Sequence, residues 1–264
     1  MARIYSFVNQ KGGVGKTTSA INVGAYLGYY GQRVLLVDLD PQANATSSLG
    51  VDKRTVRTGT YEVLIGGVPV IPQILHNPRL KISLLPSSAA LAGAEIELIE
   101  VSHRETRLRD VLVPLVDRYD YILVDCPPSL GLLTVNGLVS AQHGVLIPVQ
   151  CEYLALEGLG QLTQTIHKVQ NSLFTGLQVR GVILTMFDGR TRLALDVVNE
   201  VRKYFPDQVF QSVIPRSVRL AEAPSYGQPI ATYAPESNAA KAYAALVREI
   251  LHQDGIRIPD LSLK

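Results

Sequence analysis

The chain has 264 residues, of which 47% are hydrophobic and 18% are charged, and this composition excludes an intrinsically disordered protein. Its net charge of +2 excludes a polybasic nucleic-acid coat, so any anion must be bound by locally placed charges. Two cysteines are too few for a disulfide framework, the amino terminus shows no signal-peptide pattern, and no apolar run approaches the roughly 18 residues of a membrane helix. We therefore expect a cytoplasmic protein.

Short apolar runs alternate along the chain with longer segments of helical period. The predicted strands are Ile4–Val8, Val34–Val37, Ile82–Leu85, Tyr121–Val124, Val145–Val149, Val179–Thr185 and Val209–Ile214. The predicted helices are Thr17–Tyr29, Ala89–Glu100, Glu105–Arg118, Leu133–Ala141, Ala155–Leu173, Leu193–Tyr204 and Asn238–Leu251. Alternation of this kind predicts an α/β fold, with a doubly wound, mostly parallel sheet flanked by helices.

Two segments depart from the alternation. Gly50–Leu80 is rich in glycine and proline, and it is typical of an excursion on the surface of a domain. Asp254–Lys264 carries Gly255 and Pro259, so we expect a loose tail from about residue 254. With no linker, repeat or low-complexity tract between these segments, we expect residues 1–264 to form one domain.

A glycine-rich loop follows the first predicted strand and opens the first predicted helix. Glycines allow the backbone to wrap closely around an anion, and the helix that follows adds its positive dipole end. Lys16 suits the β- and γ-phosphates of a nucleotide, and the Thr17 hydroxyl suits Mg²⁺. The predicted nucleotide-binding residues of this loop are Lys11, Gly12, Gly13, Val14, Gly15, Lys16, Thr17 and Thr18.

Three aspartates are predicted at the carboxyl ends of strands. Asp38 and Asp40 follow the second strand, and Asp125 follows the strand Tyr121–Val124. Ligands of parallel sheets bind at that edge, so the aspartates should lie beside the phosphate loop. Any one of them alone could instead be a turn cap, but three at matching edges favour a magnesium site.

The loop departs from the common nucleotide-binding pattern, because Gln10 stands where a glycine is usual and Lys11 precedes the glycine pair. This form resembles the deviant Walker A loop of the ParA/MinD family of ATPases. Residues 37–42 and 125–129 are similar to the switch and Walker B motifs of that family. Residues 188–191 and 214–225 resemble the downstream motifs of chromosomal ParA proteins of the Soj type, so the resemblance extends over nearly the whole chain.

The resemblance implies an ATPase with bound ATP and Mg²⁺. Its implied metal residues are Thr17, Asp38 and Asp125, while Asp40 would position the attacking water and Lys16 would stabilise the phosphates. Lys11 would reach across a two-fold interface to the partner subunit's nucleotide, which implies an ATP-dependent homodimer. The alternative for Lys11 is a solvated lysine that flanks the loop.

The resemblance also implies binding surfaces outside the loop. The adenine base would lie at the strand end that carries Met186 and at the loop that carries Pro215. Arg190 and Arg219 would contribute to sequence-independent binding of double-stranded DNA, although any single arginine is also typical of a solvated surface. Because the first strand begins at Ile4, we expect no helix-turn-helix before it and no specific operator reading.

The function that the resemblance implies is ATP-dependent DNA segregation, in which a ParB-type adaptor stimulates hydrolysis and releases a nucleoid-associated dimer. A ParA-like ATPase that positions a plasmid or a protein compartment has the same biochemistry and stays open. A MinD-like membrane cycle is disfavoured because the tail lacks a basic amphipathic helix. A metabolic or metal-cluster enzyme is disfavoured because Cys126 and Cys151 are typical of small buried side chains, and we expect no membrane partner.

Overall fold

In a computed structural model, which describes residues 1–153 and 155–257, the strands form one seven-stranded sheet in the order β3-β4-β2-β5-β1-β6-β7. All neighbouring strands pair in parallel except β3, which is antiparallel to β4 at one edge. The predicted α/β class with a doubly wound, mostly parallel sheet is confirmed, and the single domain stays a prediction. The strands are β1 Arg3–Phe7, β2 Val34–Asp38, β3 Leu75–Asn77, β4 Ile82–Leu85, β5 Tyr121–Asp125, β6 Val145–Gln150 and β7 Val179–Thr185.

Helices cover both faces of the sheet. The α-helices are α1 Lys16–Tyr29, α2 Asn44–Ser48, α3 Thr60–Leu64, α4 Leu91–Glu97, α5 Arg107–Leu112, α6 Leu132–Ser140, α7 Ala155–Ser172, α8 Arg192–Tyr204, α9 Val218–Glu222, α10 Ile230–Tyr233 and α11 Asn238–Gln253. Short 3₁₀ helices lie at Ile71–Gln73, Leu98–Glu100, Val113–Leu115 and Ala223–Tyr226. Among the described helices, none combines the length and the hydropathy that a bilayer crossing needs.

The central strands are buried on both faces, which explains why their sequences are continuously apolar. On β5, Ile122 and Val124 belong to one hydrophobic cluster, while Tyr121 and Leu123 belong to the cluster on the opposite face. The strand registers align Phe7, Asp38 and Asp125 across β1, β2 and β5. The loops after these three strands therefore leave the sheet at one edge, where ligands of parallel sheets bind.

The predicted strand Val209–Ile214 is wrong. Only Val209 forms a bridge, to Val182, and the segment otherwise runs beside β7 as an irregular chain. The Glu249 carboxylate on α11 accepts the backbone N–H groups of Gln211 and Ser212, both at 2.7 Å. A side chain from another element thus takes the donors that a regular strand would have paired with its neighbour.

Helix lengths and the excursion also differ from prediction. The predicted helix Glu105–Arg118 stops being α-helical at Leu112, because Pro114 lacks the N–H group that would continue it, and a 3₁₀ turn follows. The segment Ala89–Glu100 contains α4 and a 3₁₀ turn. Gly50–Leu80 contains α3 and β3, and both elements are too short to give a periodic signal.

The prediction that a loose tail begins at about residue 254 is wrong for Asp254 itself, which is anchored. The Asp254 side chain is only 4% exposed, and it forms a salt bridge with Arg180 at 3.0 Å. Its carboxylate also accepts hydrogen bonds from the hydroxyls of Tyr5 and Tyr121, both at 2.7 Å. The end of α11 is therefore fixed beneath the sheet by buried polar contacts, and residues 258–264 of the predicted tail lie outside the described residues.

Candidate active site

The glycine-rich loop has the backbone shape that an anion site needs. Gly13 and Gly15 have φ angles of 76° and 86°, in the left-handed region that glycine adopts without strain. Helix α1 begins at Lys16, and no side chain caps its first amide groups. Those amides are free to donate to a bound anion, and the helix dipole adds to the attraction.

The loop is held by side chains before any ligand binds. The Asn9 carboxamide accepts the N–H of Lys11 at 3.0 Å and donates to the carbonyl of Pro148 at 2.8 Å. The Thr185 hydroxyl donates to the carbonyl of Val14 at 2.8 Å. Because β6 and β7 thus anchor both ends of the loop, little ordering is left for the ligand to induce.

Lys16 is a buried cation. Lys16 is 6% exposed, and its Nζ donates to the Lys11 carbonyl at 3.2 Å. Burial lowers the pKa of the Lys16 ammonium, and the negative charges of Asp125 and Asp40 act in the opposite direction. A cation held in this way is desolvated and interacts strongly with an incoming phosphate.

A cavity of about 310 Å³ opens above the loop. Its residues come from the loop and from the segments that follow β2, β5 and β7. The lining residues are Gly12, Gly13, Gly15, Lys16, Thr17, Thr18, Asp40, Asn44, Ser48, Pro128 and Met186. The structure therefore brings Lys16, Thr17 and Asp40 to one cavity.

Asp125 is a fully buried carboxylate whose two oxygens both lack a hydrogen-bond partner within the described chain. The Thr17 hydroxyl is close enough to favour the charged form, but it lies outside hydrogen-bonding geometry. Burial, together with the charge of Asp38, raises the pKa of Asp125 well above its ordinary value. An orphaned carboxylate of this kind is costly unless a ligand compensates it.

Asp38 and Asp40 are held in different ways. The Asp38 carboxylate is fully buried and accepts the N–H and the hydroxyl of Thr46, at 2.8 and 2.6 Å. Burial raises the pKa of Asp38 to about 6, although these hydrogen bonds favour its charged form. Asp40 accepts the N–H of Gln42 through one oxygen at 2.8 Å, and its residue lines the cavity.

The donor set fits a magnesium ion. Within residues 1–153 and 155–257, no group of three or more His, Cys, Asp and Glu side chains is arranged to hold a metal. Mg²⁺ does not need such a cluster, since it usually keeps several waters and binds one or two carboxylates plus substrate phosphates. The uncompensated Asp125 carboxylate beside the Thr17 hydroxyl is suited to that mode of binding.

A second cavity of about 310 Å³ continues from the first, and both are lined by Gly15, Thr18 and Met186. Met186 has a φ angle of 52°, a strained conformation for a residue with a side chain. Pro215 also lines this cavity, so the two residues predicted to hold the adenine share one wall, and their role stays a prediction. Its full lining is Gly15, Thr18, Thr185, Met186, Ile214, Pro215, Arg216, Ser217, Leu220, Ala221 and Tyr243.

Neither cavity is lined by Lys11, Arg190 or Arg219. Lys11 is half-buried. Arg190 and Arg219 are exposed, and each forms a salt bridge with a nearby acid, to Asp188 at 2.6 Å and to Glu222 at 3.0 Å. Such surface pairs contribute little and exchange readily with other anions.

Three buried hydroxyls around the aspartates escaped the sequence analysis. Thr46, Thr60 and Ser87 are all fully buried, and each forms a hydrogen bond to Asp38 or Asp40. Serine and threonine occur everywhere in the chain, so their types carried no signal. Only the tertiary structure shows which of them meet the site.

Comparisons with known proteins cover nearly the whole chain. A family model described as an AAA domain matches residues 2–179. The chain is 52% identical over 250 residues to the sporulation initiation inhibitor protein Soj of Bacillus subtilis (strain 168), covering 95% of this chain and 98% of that protein. It is 48% identical over 257 residues to the chromosome-partitioning ATPase Soj of Treponema pallidum (strain Nichols), covering 97% and 100%.

A solved structure is similar over the same extent. The crystal structure of cobyrinic acid a,c-diamide synthase from Mycobacterium smegmatis with bound ADP and magnesium has a TM-score of 0.85 and is 37% identical, covering 98% of each chain. The likeness in sequence and fold thus includes the segments that form both cavities.

Proposed function

Because this chain belongs to the ParA/MinD family of P-loop ATPases and is of the Soj type, we propose that it is an ATP-dependent DNA segregation protein. ATP binding drives the formation of a sandwich homodimer, and the dimer binds double-stranded DNA without sequence preference. A ParB-type adaptor stimulates hydrolysis, and the dimer then separates and leaves the nucleoid. The chain itself performs the ATPase and DNA-binding steps.

The observation that carries the ATPase proposal is the uncompensated Asp125 carboxylate beside the phosphate loop. A fold keeps a buried, unpaired carboxylate only where something else requires it. We assign Thr17, Asp38 and Asp125 to Mg²⁺, with Asp125 acting through a bound water. When bound, Mg²⁺ neutralises the charge on the β- and γ-phosphate oxygens.

The chain's own groups account for the remaining steps. The free amides of α1 and the loop backbone bind the phosphates, and Lys16 stabilises the negative charge that develops between the β- and γ-phosphates. One oxygen of Asp40 accepts the Gln42 N–H, so the other can accept a proton of the attacking water. The water attacks the γ-phosphorus, the bond to the β–γ bridging oxygen breaks, and ADP and phosphate are the products.

Lys11 is the residue that makes dimerisation part of the proposal. Its side chain does not line the cavity of its own subunit. Within the described residues it forms no salt bridge. A cation supplied across a two-fold interface would reach the partner's phosphates and make the dimer depend on ATP.

DNA binding then follows from doubling weak contacts. Arg190 and Arg219 are 88% and 62% exposed, so both can reach phosphate oxygens once their surface pairs open. A dimer presents twice as many cations as a monomer, and the electrostatic free energy of binding grows with the number of phosphates neutralised. A chain with a net charge of only +2 can therefore bind DNA when ATP is present.

The deciding experiment measures binding to a random-sequence duplex with ATP, with ADP and without nucleotide, at several salt concentrations. We expect tight binding with ATP alone, weakened by added salt. Absence of DNA binding in every state, with ATPase activity intact, would contradict the proposal. Binding to anionic lipid vesicles in the same series would point to a MinD-like cycle instead.

Asp40→Ala should trap the ATP-bound dimer. The variant keeps the phosphate loop and the metal residues but loses the group that orients the water. We expect hydrolysis to fall by at least about 100-fold, while ATP-dependent DNA binding persists. Gel filtration with ATP and a phosphate-release assay check both parts, and loss of ATP binding would refute the assigned role.

Arg219→Glu should separate DNA binding from dimerisation. The exposed side chain lies outside the phosphate cavity, so ATP-dependent dimerisation should be unchanged while DNA affinity falls by at least about 10-fold. Arg54→Glu is the matched control, because Arg54 is 86% exposed and pairs with a neighbouring acid in the same way. Equal DNA affinity in the two variants would remove Arg219 from the DNA surface.

The cargo distinguishes the main proposal from its closest alternative. An ATPase that positions a plasmid or a protein compartment would show the same nucleotide and DNA behaviour. Capture of the adaptor by the Asp40→Ala variant with ATP separates the two. Recovery of a chromosome-bound ParB-type protein supports segregation, and recovery of a compartment protein supports the alternative.

A further inference from the structure

A chain of buried hydroxyl groups connects the two aspartates after β2 to the segment that follows β4. Thr46 lies on α2, Thr60 begins α3, and Ser87 lies two residues beyond β4. All three residues are 0% exposed. The loop glycines and the aspartates accounted for in the proposed function leave these hydroxyls without an assigned role.

Ser87 is the centre of this chain. Its backbone N–H donates to the Thr46 hydroxyl at 2.9 Å, and its own hydroxyl donates to the backbone carbonyl of Asp40 at 2.9 Å. The Thr46 hydroxyl uses its single proton on the Asp38 carboxylate, at 2.6 Å. Each hydrogen bond in the series Asp40, Ser87, Thr46 and Asp38 therefore has one defined donor and one defined acceptor.

Thr60 completes the arrangement from the other side. Its hydroxyl donates to the backbone carbonyl of Asp38 at 2.8 Å and makes a longer contact of 3.2 Å with the carbonyl of Pro86. The N–H of Thr60 also donates to Pro86, at 2.9 Å. Thr60 therefore links the backbone of Asp38 to the backbone of Pro86, the residue before Ser87.

We infer that Thr46 and Ser87 are positioning residues for ATP hydrolysis, which set the relative placement of the metal-side Asp38 and the water-side Asp40. This inference rests on the proposed function. Thr46 holds the Asp38 carboxylate, while Ser87 holds the carbonyl of Asp40, whose side chain follows its backbone. Buried hydrogen bonds of this kind orient site residues, and their loss typically lowers metal affinity or activity by about 10–100-fold.

The test compares Thr46→Val with Thr46→Ser. Valine fills the same space without a hydroxyl, so Asp38 loses one donor and the Ser87 N–H loses its acceptor; serine keeps both hydrogen bonds. We expect Thr46→Val to lower kcat at least about 10-fold and to raise the Mg²⁺ concentration for half-maximal rate. Thr46→Ser should stay within about twofold of the wild type in both.

Ser87→Ala tests the second arm. We expect kcat to fall at least about 10-fold while the KM for ATP stays within about twofold, because the phosphate loop is untouched. The matched control is Ser83→Ala, which removes the hydroxyl of a nearly buried serine on β4, where its Oγ contacts His76 at 2.9 Å. Ser83→Ala should leave kcat unchanged.

A double variant separates positioning from general loss of stability. Thr46→Val removes the acceptor of the Ser87 N–H, and Ser87→Ala removes the hydroxyl that holds the Asp40 carbonyl. Both changes therefore loosen the same segment, and the double variant should lose less rate than the product of the two single losses. Melting temperatures measured without nucleotide show whether each variant folds. Wild-type kcat in folded Thr46→Val and Ser87→Ala, or fully multiplicative losses in the double variant, would overturn the inference.

Failure of the inference is distinguishable from failure of the proposed function. If the wild-type protein hydrolyses ATP and binds DNA but the variants behave like it, only the positioning role is lost. If the wild type shows no hydrolysis, the proposed function fails. The Mg²⁺ dependence of binding a non-hydrolysable ATP analogue then still tests whether Thr46 positions the Asp38 carboxylate. Equal Mg²⁺ dependence in the wild type and Thr46→Val would overturn the inference.

Discussion

Two buried aspartates at opposite edges of the sheet are treated in opposite ways. The carboxylate of Asp254, at the end of α11, accepts hydrogen bonds from Tyr5, Tyr121 and Arg180. The carboxylate of Asp125, at the end of β5, has no hydrogen-bond partner within the described chain. Both are removed from water, with exposed fractions of 4% and 0%.

The difference shows which edge serves architecture and which serves a ligand. A buried charge that is fully hydrogen-bonded fixes the elements that supply its partners, here β1, β5, β7 and α11. A buried charge without partners weakens the apo fold and is compensated only when a cation or a donor arrives. Removing the charge of Asp254 should therefore lower the stability of the protein. Removing the charge of Asp125 should raise the stability of the ligand-free protein and weaken ligand binding.

The largest expected effect is that of Asp254→Ala. Removing this carboxylate leaves the partly buried Arg180 guanidinium without its salt-bridge partner, and it deprives two tyrosine hydroxyls of their acceptor. Breaking a buried charge pair from one side typically costs about 3–5 kcal/mol. We expect the free energy of unfolding in urea to fall by that amount.

An exposed aspartate provides the control for Asp254→Ala. Asp117 is 84% exposed, and among the described residues its only salt bridge joins it to the N-terminal amine at 4.0 Å. Asp117→Ala should change the free energy of unfolding by less than about 0.5 kcal/mol. If both variants unfold at the same urea concentration, the Asp254 contacts contribute nothing to stability and the contrast fails.

The next effect is smaller and of opposite sign. Asp125→Asn keeps the shape of the side chain and removes a buried charge that lies near the charge of Asp38. The amide still lacks partners, so we expect only part of the desolvation cost to be recovered, a gain of about 1–3 kcal/mol in the free energy of unfolding. Asp254→Asn, the same chemical change, should instead lower it.

Magnesium and ATP should reverse the order of stability of the wild type and Asp125→Asn. Wild-type protein should melt at a higher temperature with Mg²⁺ and ATP, because the ligand binds only the folded state. Asp125→Asn should gain much less and should lose Mg²⁺-dependent hydrolysis. Equal ligand stabilisation of both proteins would show that Asp125 does not serve the metal.

The fold was predictable wherever a signal lay in consecutive residues. Apolar runs located six of the seven strands, because burial on both faces demands continuous hydrophobicity. The segment Val209–Ile214 is apolar at both ends, yet it is not a regular strand. Glu249, 37 and 38 positions along the chain, takes two of its backbone donors. Pairing of that kind depends on tertiary contact, which no local pattern contains.

The candidate site divides in the same way. Lys16, Thr17 and Asp40 follow from a contiguous loop and from strand ends, and the structure places all three at one cavity. Thr46 and Ser87 are 41 positions apart, and their hydrogen bond exists only because α2 packs beside the end of β4. The anchored Asp254 was likewise invisible, since its partners lie 74 to 251 positions away.

The smallest expected effect is a pH dependence confined to the ligand edge. In metal-free protein, burial raises the pKa of Asp125 well above its ordinary value and that of Asp38 to about 6. A raised folded pKa means that the folded state holds the proton more tightly, so this stability is complete below the unfolded pKa and declines as the pH rises through the folded pKa. Asparagine at position 125 does not titrate, whereas Asp38 titrates in both proteins. Urea unfolding in EDTA should therefore show the advantage of Asp125→Asn widening as the pH is raised from acid to neutral, and an advantage that is the same at every pH would assign it to packing instead of charge.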